Sequence, residues 1–204
     1  EVTDVESKWN PEHEDLPRQA GIVNSDTVIL GCGSACQASH MAHGTAVLGI
    51  LGADDSDVHG VKGIAPESTI ITRGSDRCGA VDTISGIGNS PNLIEAGDIY
   101  LCEQQYPGYT GWWAPGEVWP DVFAGIELAT AAGLTVIEPA ANSGMDMDQD
   151  GIYFTDGPNL NGRAQDSGAI MVGGASPGGS LNRASWSNCG ERVDVFAWGS
   201  GVVT

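Results

Sequence analysis

Apolar residues come in short continuous runs separated by polar or glycine-rich punctuation. TVILG (27–31), STIIT (68–72), GDIYLC (97–102), LTVIEPA (134–140), AIMVGGA (169–175) and RVDVFA (192–197) each have strand length. Their continuity, in place of a polar–apolar alternation, predicts strands of a parallel sheet covered on both faces. Between them, GTAVLGILGA (44–53), VDTISGIGNSPNLIEA (81–96) and PDVFAGIELATAAG (120–133) read as helices. The last has Pro120 near its start and Gly133 at its end, the usual asymmetry of helix termini. The pattern predicts an α/β, doubly wound, mostly parallel sheet with helices on both faces. Working residues are then expected at the carboxyl ends of the strands. The segment opens on EVTD and closes on GSGVVT directly after a strand, so the sheet is expected to be incomplete at both ends, with 1–204 forming part of one domain.

Composition narrows the function. The 204 residues are 41% hydrophobic, enough for a real core. No apolar run of about 18 residues is present, and no basic–apolar leader pattern occurs in the segment. Lys and Arg number 8 against 27 Asp and Glu, a net charge of −19. Such a surface repels nucleic acid and anionic membranes, so neither is expected as a partner. The cysteines are Cys32, Cys36, Cys78, Cys102 and Cys189. Their spacing matches no zinc pattern. CGSAC can close a small disulfide loop, and an exported protein with one or two disulfides is expected.

Three residues then stand out as candidate chemistry. His43 lies at the mouth of the slim apolar stretch AVLGILGA, read as the start of a helix. There the positive end of the dipole favours a neutral imidazole, and a carboxylate on its far side would restore basicity and fix the tautomer. Asp4, after a short β-like stub, is the candidate for that carboxylate. Asn142 ends the buried run VIEPAAN, where its amide could donate to an oxygen gaining negative charge. Singly, each has an ordinary reading: a structural histidine, a turn-forming aspartate, an asparagine that tolerates a left-handed turn.

Taken together, the blocks resemble the subtilisin-like serine peptidases in order and spacing, over nearly the whole chain. DVESKWNPEHEDL resembles their DTGxxxxHPDL-type aspartate motif, with His13-Glu14-Asp15-Leu16 as its tail. HGTAVLGI is similar to their HGTxVAG-type histidine motif, and GIAPES to the GVAP segment after it. AANSG resembles their oxyanion-hole loop, and SWSNCGERVDVFAWG the FSNxGxxVDVxAPG stretch before the nucleophile. The order aspartate, histidine, then serine is also theirs. The resemblance implies Asp4 as orienting carboxylate, His43 as general base and acid, and Asn142 as oxyanion donor. It places Glu103, Gln104 and Gln105 with Pro139, Ala140 and Ala141 along the substrate cleft.

Several positions depart from that pattern. The GTSxA-type motif that carries the nucleophile does not occur before Thr204, and Ser143, Ser167 and Ser187 lack its context. The nucleophile is therefore expected beyond this segment, which alone is expected to be inactive. Ala141 replaces the glycine usual before the oxyanion asparagine, CEQQ replaces the SxG-type strand, and Trp198 replaces a common proline.

Metal signals are weaker. DMDQDG (146–151) spaces Asp146, Asp148 and Asp150 like the start of a calcium loop, but position twelve is Gly157 instead of a bidentate glutamate. Asp15 with ADDSD (53–57) is a second acidic cluster. His40 and His43 sit three apart without an HExxH pattern. The expectation is a secreted, monomeric serine endopeptidase acting on peptides or proteins. It needs no cofactor, and structural calcium is an option. A non-catalytic homologue that binds peptide or calcium is the alternative, and metal-dependent hydrolysis through His40 and His43 a third reading.

Overall fold

The computed structural model describes residues 1–6, 9–16, 22–24, 34–54, 60–74, 95–108, 111–149, 166–178, 180 and 182–204, with backbone only at 22–24, 34–37 and 73–74. A parallel sheet of seven strands forms its centre. In chain order they are β1 (Val2–Glu6), β2 (Ile22–Asn24), β3 (Ile70–Gly74), β4 (Ile99–Cys102), β7 (Thr135–Pro139), β8 (Ile170–Ala175) and β9 (Val195–Trp198). Across the sheet they run β2-β3-β1-β4-β7-β8-β9, and β5 (Tyr106–Pro107) pairs antiparallel with β6 (Trp113–Ala114) beside it. The helices are α1 (Ser34–Gly52) and α2 (Pro120–Ala131), with a 3-10 turn at Gly116–Val118. Five of the six expected strands are present. The sixth, 27–31, and the expected helix 81–96 lie outside the described residues but for its last two positions, while β2 is a strand the apolar runs did not predict.

The alternation of side chains assigns the two faces. Val5, Tyr100, Cys102 and Val136 join Val122, Ile126 and Ala129 of α2 in one core. On the opposite face Ile70 packs with Leu48 of α1, Trp9 and Leu16. Val2 stands beside Ile70 in the parallel register, and Asp4 and Glu6 follow on the same face. The chain turns back at the open end of α1 at very close range. A Cβ on Gly63 would fall 2.5 Å from the backbone nitrogens of Gly52 and Ala53. That approach requires glycine. Pro120 opens α2, and Gly133, at φ +92°, lets the chain leave it.

On the α2 side the core contains a buried ionic network. Arg192 donates Nε to Glu117 Oε1 (2.6 Å) and Nη2 to Glu117 Oε2 (2.8 Å), with both residues 4% exposed. Its remaining donors reach Asp194 Oδ2 (2.9 Å) and the Ala169 carbonyl (3.0 Å). Glu138 of β7 lies against Glu117. Burial first, and then the Glu117 charge, push its carboxyl well above the ordinary range. Breaking a buried pair strands a charge, which typically costs about 3–5 kcal/mol. Arg192→Ala in the full-length protein should lower unfolding free energy by about that amount, read as a fall in urea midpoint at unchanged slope.

Candidate active site

The carboxyl ends of β1, β4 and β7 meet at one edge of the sheet. The chain leaving β1 rejoins the sheet at β2 on one side, and the chain leaving its neighbour β4 rejoins it at β7 on the other. Parallel sheets place their sites at such a point. β1 ends at Glu6, β4 runs into Glu103-Gln104-Gln105, and β7 runs into Ala140-Ala141-Asn142.

His43 faces this edge from α1. Its Nδ1 lies 2.8 Å from Glu6 Oε1, with the histidine side chain 55% exposed and the glutamate 2%. The hydrogen bond to Glu6 raises the His43 pKa, burial works against it, and the charges of Glu6 and Glu103 raise it further. The imidazole is not at a helix start: α1 begins at Ser34, well before it. The dipole at the N-terminus, which falls off within a turn, does not act on His43, and the carboxylate beneath controls its charge.

Asp4 is not the carboxylate that meets His43. It is fully buried two residues before Glu6, and neither carboxyl oxygen has a hydrogen-bond partner among the described residues. Burial, then the charges of Glu6 and Glu103, raise its pKa well above the usual aspartate range. Glu6, two residues on, is the carboxylate that meets His43, and the sequence held a signal for it. The DTGxxxxHPDL-type pattern puts the acid seven residues before its histidine, and His13 minus seven is Glu6. Asp4 matches the residue type but misses the spacing.

The oxyanion-type loop is built by residues that motif reading left without roles. Ala141 has φ +72°, the left-handed conformation that explains why glycine suits this place. The Asn142 N–H donates to Gln105 Oε1 at 2.9 Å, joining the ends of β7 and β4. Asn188 Oδ1 accepts from the N–H groups of Ser143 and Met145 (both 3.1 Å), while its Nδ2 donates to the Trp113 carbonyl (3.0 Å). The Asn142 side chain is left exposed at the rim. In the cleft wall, Gln104 Oε1 accepts from the Tyr106 hydroxyl (3.2 Å), and Pro139 and Ala140 lead into the loop.

The other candidates go elsewhere. Ser143 Oγ accepts from the Trp113 N–H, Ser167 Oγ donates to Glu117, and Ser187 Oγ accepts from the Gly174 N–H. Asp148 accepts the Glu191 N–H with both oxygens (2.9 and 2.8 Å), and Asp146 accepts from Asp148 and Gln149. Asp150, Gly157 and residues 55–57 lie outside the described residues, as do Cys32, Cys78 and the Cys36 side chain. Cys102 is buried, and Cys189 is a half-buried free thiol.

No protein-family model matches the chain, and no curated protein matches it. Solved structures do. A protease from Pseudoalteromonas arctica PAMC 21717 is similar at a TM-score of 0.65 and 21% identity over 100% of this chain and 63% of its own. The PatG macrocyclase in complex with peptide matches at 0.65 and 12% identity, over 98% of this chain and 66% of its own. The epidermin leader peptide processing serine protease from Staphylococcus aureus matches at 0.59 and 17%, over 97% and 51%. The chain thus spans between half and two thirds of the length of these structures. The fold is the α/β fold of subtilisin-like proteases.

Asp4 supplies a sign test. A folded-state pKa raised above the unfolded one means the native state holds a proton that the unfolded state has lost. Stability is therefore lost as pH rises from the ordinary aspartate range toward the raised value. Asp4→Asn should raise the urea midpoint at pH 7, with the gain vanishing as pH falls below the ordinary aspartate range. An equal gain at all pH values would show that Asp4 is ionised in the fold.

Proposed function

We propose that the chain is the greater part of the catalytic domain of a subtilisin-type serine endopeptidase, with Glu6 and His43 as its acid–base pair. The observation that carries this reading is the 2.8 Å contact between His43 Nδ1 and the buried Glu6 carboxylate, at the strand edge that also bears the Asn142 loop. The nucleophilic serine is supplied by sequence beyond Thr204.

In this scheme the Glu6 carboxylate accepts a hydrogen bond from His43 Nδ1–H, which keeps the proton there and leaves the other imidazole nitrogen, Nε2, as a base. Nε2 takes the serine hydroxyl proton as the oxygen attacks the peptide carbonyl. The carbonyl oxygen becomes an oxyanion, which the Asn142 amide stabilises by donating to it. The imidazolium, paired with Glu6, then protonates the departing amine as the C–N bond breaks. Water, deprotonated by His43, releases the acyl group and restores the serine.

Glu103, Gln104, Gln105, Pro139, Ala140 and Ala141 line the peptide-binding cleft. The chemistry requires no cofactor, and any calcium bound by the acidic loops would be structural. A secreted monomer acting on peptides or proteins is the corresponding setting, and the net charge of −19 disfavours nucleic acid and anionic membranes as partners.

The test is covalent labelling of the full-length protein by a fluorophosphonate. Labelling should occur at a serine downstream of Thr204 and be abolished by His43→Ala. Glu6→Gln should cut kcat/KM by roughly 10³–10⁴, as removal of the orienting charge does in triads, and Asp4→Asn by less than tenfold. A folded full-length protein that takes no label would make the chain a non-catalytic peptide-binding homologue.

A further inference from the structure

The three acidic side chains at the strand edge invite the question of what Glu103 does. It follows Cys102, which stands opposite Val5 in the β1–β4 register. Glu103 directly follows Cys102 as Glu6 directly follows Val5, at the carboxyl ends of the two adjacent strands. Alternation puts it on the face shared by Asp4, Glu6 and Leu101, the face His43 overlies. Glu103 is partly buried there and lies within Coulombic reach of both Glu6 and His43.

We propose that Glu103 is a positioning residue for His43: a second carboxylate, one strand over from Glu6, that acts on the imidazole from the carboxyl end of β4. This rests on the peptidase reading for its catalytic meaning but not for its electrostatics. A single buried carboxylate fixes the tautomer. A second, approaching from the neighbouring strand, adds negative potential beneath a ring whose far side is open to solvent.

The interactions agree in direction. Burial and then the Glu6 charge lift the Glu103 carboxyl, while His43 pulls it down, and Glu103 in turn lifts His43. Other ionisable groups near the ring are few among the described residues. On α1, His40 stands one turn before His43. The 10–16 loop turns His13 and Asp15 into the groove along Met41, Thr45 and Gly49, a stripe of α1 that does not include His43. β3 presents Thr72 beside Asp4.

The consequence is a base that is freed at a higher pH than Glu6 alone would set. Since the free imidazole is the active form, the acid limb of kcat/KM lies correspondingly higher. Glu103→Gln should move that limb, and the midpoint of the His43 ring, to lower pH. Glu103→Asp, which keeps the charge, should retain most of the wild-type midpoint.

The experiment is an NMR titration of the His43 ring carbon and the Glu103 side-chain carboxyl in the full-length protein, wild type, Glu103→Gln and Glu103→Asp. Coupling is reciprocal. In the wild type, the Glu103 carboxyl signal should therefore show a second inflection at the His43 midpoint, a readout that needs no variant to fold. A His43 midpoint unmoved by Glu103→Gln, or a Glu103 signal without that inflection, would overturn the proposal. Fluorophosphonate labelling of the same sample separates the two ideas. A shifted midpoint without labelling keeps the electrostatic role and sinks the peptidase reading, and labelling with an unmoved midpoint does the reverse.

Discussion

Carrying an acidic side chain into the interior beneath an imidazole is costly unless charge and hydrogen bonding compensate it. Glu6 is that side chain, and the rest of the site is arranged around its burial. Its depth is set by β1 lying between β3 and β4, and its direction by the pleat that turns Val5 into the α2 core. His43 reaches it because α1 packs on the opposite face through Leu48 and keeps a side of small residues toward the sheet. Were β1 to slip by one residue, Glu6 would face the α2 core and the histidine would lose its partner.

The same sheet handles buried charge in two ways. On the α1 side acidic groups meet at a solvent-facing edge under a half-exposed ring, and burial raises the Asp4 pKa. On the α2 side Glu117 is matched by the bidentate Arg192 guanidinium, and burial beside them raises the Glu138 pKa. The first arrangement keeps a proton mobile near water. The second locks its charges in place and joins the 3-10 turn to the approach of β9.

Much of this was legible from residues alone, for identifiable reasons. Strands β3, β4, β7, β8 and β9 are continuous apolar runs, although β9, at the sheet edge, is exposed on both faces instead of covered as expected. α2 announced itself through Pro120 and Gly133. α1 was read ten residues short because Ser34–His43 carries no apolar periodicity, so His43 was assigned a dipole it does not feel. The carboxylate that meets His43 was read two residues early because Asp4 and Glu6 share a face and differ by one methylene. Residue type favoured one, and spacing to His13 favoured the other. Asn188 could not be found by pattern, and Gln105 was placed by it in the cleft but not as an acceptor, since both hold backbone N–H groups from distant segments.

The hydrogen bond from the Asn142 backbone to Gln105 joins two walls of the cleft that lie 37 positions apart in the chain. A substitution at either wall is therefore felt at the other. Replacing Gln105 with a residue that cannot accept frees an N–H in the loop that presents the Asn142 amide. Under the proposed function, a change in the wall that lines the cleft would therefore also disturb the loop that presents the Asn142 amide, and a second substitution would be needed to restore it.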